Sequence, residues 1–203
     1  MRPLPRLLAF TDDRIGALDD LDRRAAAIAS VGPAVGLVAR LPNGSTDRLA
    51  TLAERFVTLA TPPMASVFVT GRADVAKAVR ANGVILRMGD LDVPSLRFAQ
   101  DAVVLRSVHS LAEAESALAT GADGMIVGSI WPTTTHPDRT AAGTELLRQV
   151  VSLGSPTYAI GGVTAARAAE ARNAGAWGVA AITAVWDAEN SYDAAMDLVT
   201  PWI

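Results

Sequence analysis

Short apolar runs alternate with helix-like stretches eight times along the chain, and this repetition restricts the possible folds more than any other feature. The runs are Leu7–Phe10, Val35–Leu41, Ser66–Val69, Gly83–Leu86, Ala102–Leu105, Gly124–Ile130, Thr157–Ile160 and Gly178–Val185. They are uncharged at their centres and rich in Val, Ile and Leu, as strands covered on both faces of a parallel sheet are. The stretches between them are Asp19–Ser30, Ser45–Ala60, Arg72–Ala81, Val93–Ala99, Leu111–Thr120, Gly143–Ser152, Thr164–Ala174 and Asp187–Val199. Ser110 and Thr164 stand where a side-chain oxygen accepts from free N–H groups at a helix start. Gly121 and Gly175 stand where a left-handed residue ends a helix. The segments Thr120-Gly121-Ala122-Asp123-Gly124 and Ala174-Gly175-Ala176-Trp177-Gly178 look alike, so the unit repeats. Eightfold alternation predicts the α/β class and a single (β/α)8 TIM barrel over residues 1–203. A doubly wound open sheet is the alternative. It usually carries a glycine fingerprint after its first strand, and Thr11-Asp12-Asp13-Arg14 stands there instead.

Composition narrows the partners. Half of the 203 residues are hydrophobic, which is ample for one core. A formal charge of −3 offers no basic field for a nucleic-acid backbone. With no Cys and two His, disulfides, thiolate nucleophiles and His-rich metal sites are excluded. The longest uncharged apolar stretch, Ala174–Trp186, falls short of the ~20 residues of a membrane span. The run after Met1 is too short for a signal peptide, so a cytoplasmic protein without a membrane partner is expected. The sequence leaves a homo-oligomer open.

Barrel active sites lie at the C-terminal ends of the strands. The residues there are Thr11-Asp12, Arg40, Thr70, Arg87, Ser107 to His109, Ser129 to Trp131, Gly161-Gly162 and Thr183. Ile160-Gly161-Gly162-Val163-Thr164 is the strongest local signal. Glycines let backbone N–H groups approach an anion, and barrels often bind phosphate between the loops after strands seven and eight. The plain alternative is a tight turn. The loop through Thr133-Thr134-Thr135-His136 offers hydroxyls to a phosphate, or is a surface turn. His109 stands ready to move a proton near neutral pH, or to pack at a helix start. Asp12, Asp90 and Asp92 suit capping, and the four Trp suit packing.

Together these segments resemble the thiamine phosphate synthase/TenI-like superfamily over almost the whole chain. The resemblance rests on Phe10-Thr11-Asp12, on Val108-His109-Ser110-Leu111-Ala112-Glu113-Ala114, and on Gly121-Ala122-Asp123. It continues in Gly128 through Pro132-Thr133-Thr134-Thr135, Ala159-Ile160-Gly161-Gly162-Val163, and Gly175-Ala176-Trp177-Gly178-Val179-Ala180. The resemblance implies a (β/α)8 barrel of thiamine biosynthesis with one of two chemistries. A synthase joins a pyrimidine methyl pyrophosphate to a thiazole phosphate with Mg²⁺. A TenI-type tautomerase moves a proton to make the thiazole aromatic, without a metal.

The chain departs from the synthase pattern at its charged positions. A Gln-x-Arg-x-Lys run on strand two is Gly36, Val38 and Arg40 here. An Asn-Asp pair at the end of strand three, whose Asp helps hold the metal, is Thr70-Gly71, although Arg72-Ala73-Asp74 matches. Asp90 falls at the second metal-binding Asp and would be a ligand only in a synthase. The family's Lys after the Thr-rich loop is His136. Thr133, Thr135, Gly161, Gly162, Ile182 and Thr183 keep the implied phosphate cradle. The reading that follows is a TenI-like tautomerase of a thiazole phosphate, with no cofactor and with His109 as acid/base. Arg40, Arg87 and Thr70 are then substrate contacts. The alternatives are a divergent Mg²⁺-dependent synthase and a non-catalytic phosphate-ligand binder.

Overall fold

A computed structural model describes residues 4–60, 65–87, 89–90, 102–133 and 140–203. Eight strands run in sequence order around a closed barrel, and β1 (Leu7–Phe10) pairs with both β2 (Val35–Ala39) and β8 (Gly178–Ala181). The others are β3 (Ser66–Thr70), β4 (Gly83–Arg87), β5 (Val103–Val108), β6 (Gly124–Gly128) and β7 (Thr157–Ile160), and every pairing is parallel. The expected barrel is therefore the observed fold. Helices α1 (Leu21–Ala29), α2 (Thr46–Leu59), α3 (Ala73–Ala78), α4 (Leu111–Ala119), α5 (Gly143–Val151), α6 (Ala165–Asn173), α7 (Thr183–Trp186) and α8 (Ser191–Val199) surround it. The helix expected over Val93–Ala99 lies outside the described residues.

Period-two alternation splits each strand between two apolar layers. Leu8, Phe10, Val38, Phe68, Ile85, Leu105, Ile126, Tyr158 and Ala180 fill the barrel, while Leu7, Leu37, Val69, Val84, Val104, Val127 and Val179 face the helices. The inner layer fits because bulk on odd strands meets glycine on even ones. Leu8 pairs with Gly36, Phe68 with Gly83, Leu105 with Gly124 and Tyr158 with Gly178. A Cβ at Gly83 would come 2.3 Å from the Val103 carbonyl oxygen and 2.9 Å from the Phe68 ring. At Gly178 it would stand 2.2 Å from the Arg6 carbonyl oxygen. These four positions hold space for their neighbours' rings and branches, and for the adjacent backbone.

The helices start as the sequence predicts. Ser110 accepts from the Glu113 N–H at 3.2 Å and Thr164 from the Arg167 N–H at 3.3 Å. Gly121 and Gly175 take φ of 87° and 90°. Trp186 is buried and stacks on Phe56, 6.0 Å between centroids. Beneath the barrel, Trp177 Nε1 donates to the Pro5 carbonyl at 3.1 Å, and the Arg6 guanidinium lies 3.7 Å from its ring centre.

Several boundaries differ from expectation: β2 ends at Ala39 rather than Leu41, and β6 at Gly128 rather than Ile130. The run Gly178–Val185 is not one strand: β8 stops at Ala181, and the chain turns at Ile182 (φ −113°, ψ −84°) into α7. The last long helix begins at Ser191 rather than Asp187, because Asn190 caps it by accepting from Tyr192 and Asp193 N–H groups. On β5 the strand continues to Val108 through Arg106, a charged residue only 4% exposed.

Candidate active site

A cavity of about 530 Å³ opens at the C-terminal ends of the strands. It collects Arg40, Thr70, Arg87, His109, Thr133, Gly161, Gly162, Ile182 and Thr183 from the predicted set. Thr135 and His136 lie outside the described residues. Asp90 is described and does not line the cavity.

One side of the cavity is backbone. Gly161 and Gly162 have φ of 95° and 66°, a region that side chains rarely enter. A Cβ on Gly162 would also sit 2.3 Å from the Pro132 carbonyl oxygen, and one on Gly161 2.6 Å from Ser129 Cβ. The β7 turn therefore lies against the β6 loop, where Thr133 lines the cavity. Arg167 Nη1 donates to the Gly162 carbonyl at 2.6 Å and ties this turn to α6. Next to it, α7 begins immediately after β8. The Thr183 and Ala184 N–H groups open that helix and by position have no intrahelical acceptor. A glycine turn beside a short extra helix after strand eight is the barrel arrangement suited to a phosphate.

The opposite arc is cationic. Arg40, Thr70 and Arg87 occupy the inward positions at the ends of β2, β3 and β4. Buried Thr11 fixes Arg40: its hydroxyl accepts from the Arg40 N–H at 3.0 Å and donates to the Arg40 carbonyl at 2.9 Å. Burial lowers the pKa of the Arg40 guanidinium; Asp12 and Asp13 oppose this, and the like charge of Arg87 adds to it. An arginine keeps its charge through such a shift. Thr70 Oγ1 donates to the Ala39 carbonyl at 3.2 Å, so its hydroxyl braces β2. Arg106, which sequence reasoning missed, sends Nη1 to the Arg87 carbonyl at 3.1 Å. A charge directly after the apolar run Ala102–Leu105 was its only signal.

His109 stands between the two arcs. Its N–H donates to Glu113 Oε2 at 2.7 Å, and its Nδ1 meets the Gly128 carbonyl. A carbonyl only accepts, so Nδ1 carries the proton and a neutral ring leaves Nε2 as an acceptor. His109 therefore stands at a helix start and lines the cavity.

The Mg²⁺ implied by resemblance to a synthase needs oxygen ligands, carboxylates foremost. Among the described residues the cavity is lined by three arginines, one histidine and no carboxylate. Gly71 has no side chain to offer. Asp74 is held by Arg72, whose Nε donates to it at 2.8 Å, and that hydrogen bond lowers its pKa to about 2. The Asp90 carboxylate accepts the Arg87 N–H at 2.7 Å, a capping role. Among the described residues this donor set does not fit the ion.

The family described as thiamine monophosphate synthase matches residues 7–185. The chain belongs to that family. A thiamine-phosphate synthase of Mycolicibacterium gilvum is 40% identical over 139 residues, covering 66% of this chain and 58% of that protein. One from Streptomyces avermitilis is 40% identical over 63% of this chain and 61% of its own length. The chain thus spans under two thirds of these relatives. The synthase of Caldivirga maquilingensis is 31% identical, with 98% of both chains covered. The solved thiamine phosphate pyrophosphorylase of Pyrococcus furiosus superposes with a TM-score of 0.81 at 32% identity, covering 97% of this chain and 95% of that one.

These findings correct the expectation of a thiazole tautomerase. Relatives at 31–40% identity carry the synthase name, as does the Pyrococcus furiosus thiamine-phosphate synthase at 36% over 82% of each chain. The isomerase class and the assignment of His109 as its acid/base fall with it. Placement on the TenI-type branch finds no support in those names. The physical reason for the miss is that the departures at positions 38, 71 and 136, each read alone, imply loss of the pyrophosphate and metal site, whereas Arg87 brings charge to the same cavity from β4.

Proposed function

We propose that the chain is a thiamine-phosphate synthase, a transferase that joins a pyrimidine methyl pyrophosphate to a thiazole phosphate. The observation that carries this reading is the two-sided cavity: a backbone cradle on the β6–β8 side faces a guanidinium arc on the β2–β4 side, with no lining carboxylate among the described residues. Two phosphorylated ligands need two anion sites, whereas a single phosphorylated ligand would leave the arginine arc without a purpose.

In this reading the thiazole phosphate docks on the Gly161-Gly162 turn and the Thr183-Ala184 amides, and Thr133 closes the cradle. The pyrimidine lies over Ile85, Ile126 and Phe10, the apolar floor of the cavity. The thiazole ring nitrogen forms a bond to the pyrimidine methylene carbon. The bond from that carbon to pyrophosphate oxygen breaks, and its electron pair leaves on the pyrophosphate. No proton is gained or lost in this exchange. Charge grows on the leaving group, so fixed cations aimed at it lower the barrier. His109, with Nε2 as an acceptor, orients a donor group on one of the rings.

The test pairs two acceptors. Thiazole phosphate and the unphosphorylated thiazole alcohol are each incubated with the pyrimidine pyrophosphate, and the joined product is followed by mass. Product from the phosphate alone is expected. Equal yields from both acceptors, or none from either, would defeat the reading.

A further inference from the structure

The β7 turn is held against the β6 loop one carbonyl at a time. The Ile130 N–H donates to the Ile160 carbonyl at 2.8 Å, and the Trp131 N–H to the Gly161 carbonyl at 3.2 Å. Two consecutive donors thus meet two consecutive acceptors. The next residue of the loop is Pro132, which has no N–H to give. The next acceptor is the Gly162 carbonyl, and Arg167 Nη1 reaches it from α6 at 2.6 Å. A side chain fills the place that proline leaves empty. Arg167 is braced for this task. Its own N–H donates to the Thr164 hydroxyl at 3.3 Å, and its guanidinium lies 5.8 Å from the centre of the Trp131 ring. Arg167 does not line the cavity, so it acts on the site through the main chain.

The carbonyls of residues 160, 161 and 162 are therefore all engaged. The N–H groups of the same peptides belong to Gly161, Gly162 and Val163, which line the cavity. None of the three donates to an acceptor among the described residues. These peptides are trans, and a trans peptide sets its N–H opposite its C=O. Fixing the carbonyls thus fixes the direction of the N–H groups. A cation on the Gly162 carbonyl also polarises that peptide and strengthens the Val163 N–H as a donor. We propose that Arg167 is a positioning residue for the thiazole phosphate: it supplies the hydrogen bond that Pro132 cannot, and so holds the N–H groups of the turn toward the ligand. This role rests on the reading above that the turn takes that phosphate.

Calorimetric titration of thiazole phosphate into the full chain, beside steady-state kinetics, tests it. Arg167→Met should weaken binding by roughly tenfold, the size of a lost hydrogen bond to a charged group. The KM for thiazole phosphate should rise with it, while kcat and the KM for the pyrimidine pyrophosphate stay within about twofold. Arg167→Lys should recover part of the loss. Adding Pro132→Ala to Arg167→Met should also recover it, because the loop regains an N–H where it lacked one, without regaining the charge. An arginine that only stabilised the fold would lower Tm and burden both substrates alike, and Pro132→Ala would not relieve it. If Arg167→Met alone folds poorly, the double variant is compared with the parent directly. Affinity within about twofold of the parent in Arg167→Met, or no recovery in the double variant, would overturn the role. Binding needs no turnover. Weakened binding in Arg167→Met, together with no joined product from the parent, would leave the role standing and defeat the synthase reading. Joined product from the parent with unchanged binding in Arg167→Met would do the reverse.

Discussion

Phe68→Ala should destabilise the barrel by about 3–5 kcal/mol, the range for removing a large ring from a closed core. Phe68 is 1% exposed, and its ring lies against the Cα positions of both Gly36 and Gly83. Those glycines cannot refill the void, because they have no side chain to move. The neighbouring strands are locked by pairing on both sides, so collapse around the cavity is limited. A chain of this size loses about 2–4 °C in Tm per kcal/mol, so thermal unfolding should shift down by roughly 6–20 °C. Phe68→Leu should recover most of this. A shift of only a degree or two for the Ala variant would mean that the bulk-against-glycine layer does not hold the barrel together.

Gly162→Val should lower kcat/KM for thiazole phosphate on the order of 10²-fold, the size of effect seen when a backbone anion cradle loses a donor. Two independent obstacles act at this residue. Its φ of 66° is strained for a β-branched side chain, and the added Cβ would meet the Pro132 carbonyl oxygen at 2.3 Å. The turn must move, and the N–H groups assigned to the thiazole phosphate move with it. The same variant should change the response to pyrimidine pyrophosphate far less, because that ligand is assigned to the other arc. Varying each substrate separately checks this. Equal losses for both substrates, or no loss at all, would show that the β7 turn is not the thiazole phosphate site.

The barrel was legible in the sequence because a closed parallel sheet writes itself as eight buried runs. The caps at Ser110 and Thr164 were legible for a local reason: the side chain and the N–H groups it accepts from are three residues apart. The end of β8 was not. Ala, Val and Trp after Ile182 read equally as buried strand or buried helix, and periodicity does not separate them over so short a run. The glycine layer was visible as residues but not as a layer, since each glycine is explained by a ring on a neighbouring strand. Gly36, for example, answers to Phe68.

The site divides in the same way. Gly161-Gly162 announced itself, because adjacent glycines between a strand and a helix have few other uses. Arg87 was identified as a strand-end residue, but its meaning depends on what faces it. That Arg40 and Arg87 line one cavity, with no carboxylate in its described lining, is a fact of three strands folded side by side. Judging each charged position separately suggested a lost pyrophosphate site, and this is why the function first read as a tautomerase. Arg106 braces Arg87 from the outer face of β5, a relation between strands that no local motif records.

The central claim is that this cavity couples two phosphorylated substrates with release of pyrophosphate. The most direct measurement is pyrophosphate release by the purified chain on mixing the pyrimidine pyrophosphate with thiazole phosphate. The account predicts release that depends on thiazole phosphate and matches joined product one for one. Absence of release, or release unaffected by leaving out thiazole phosphate, would contradict it.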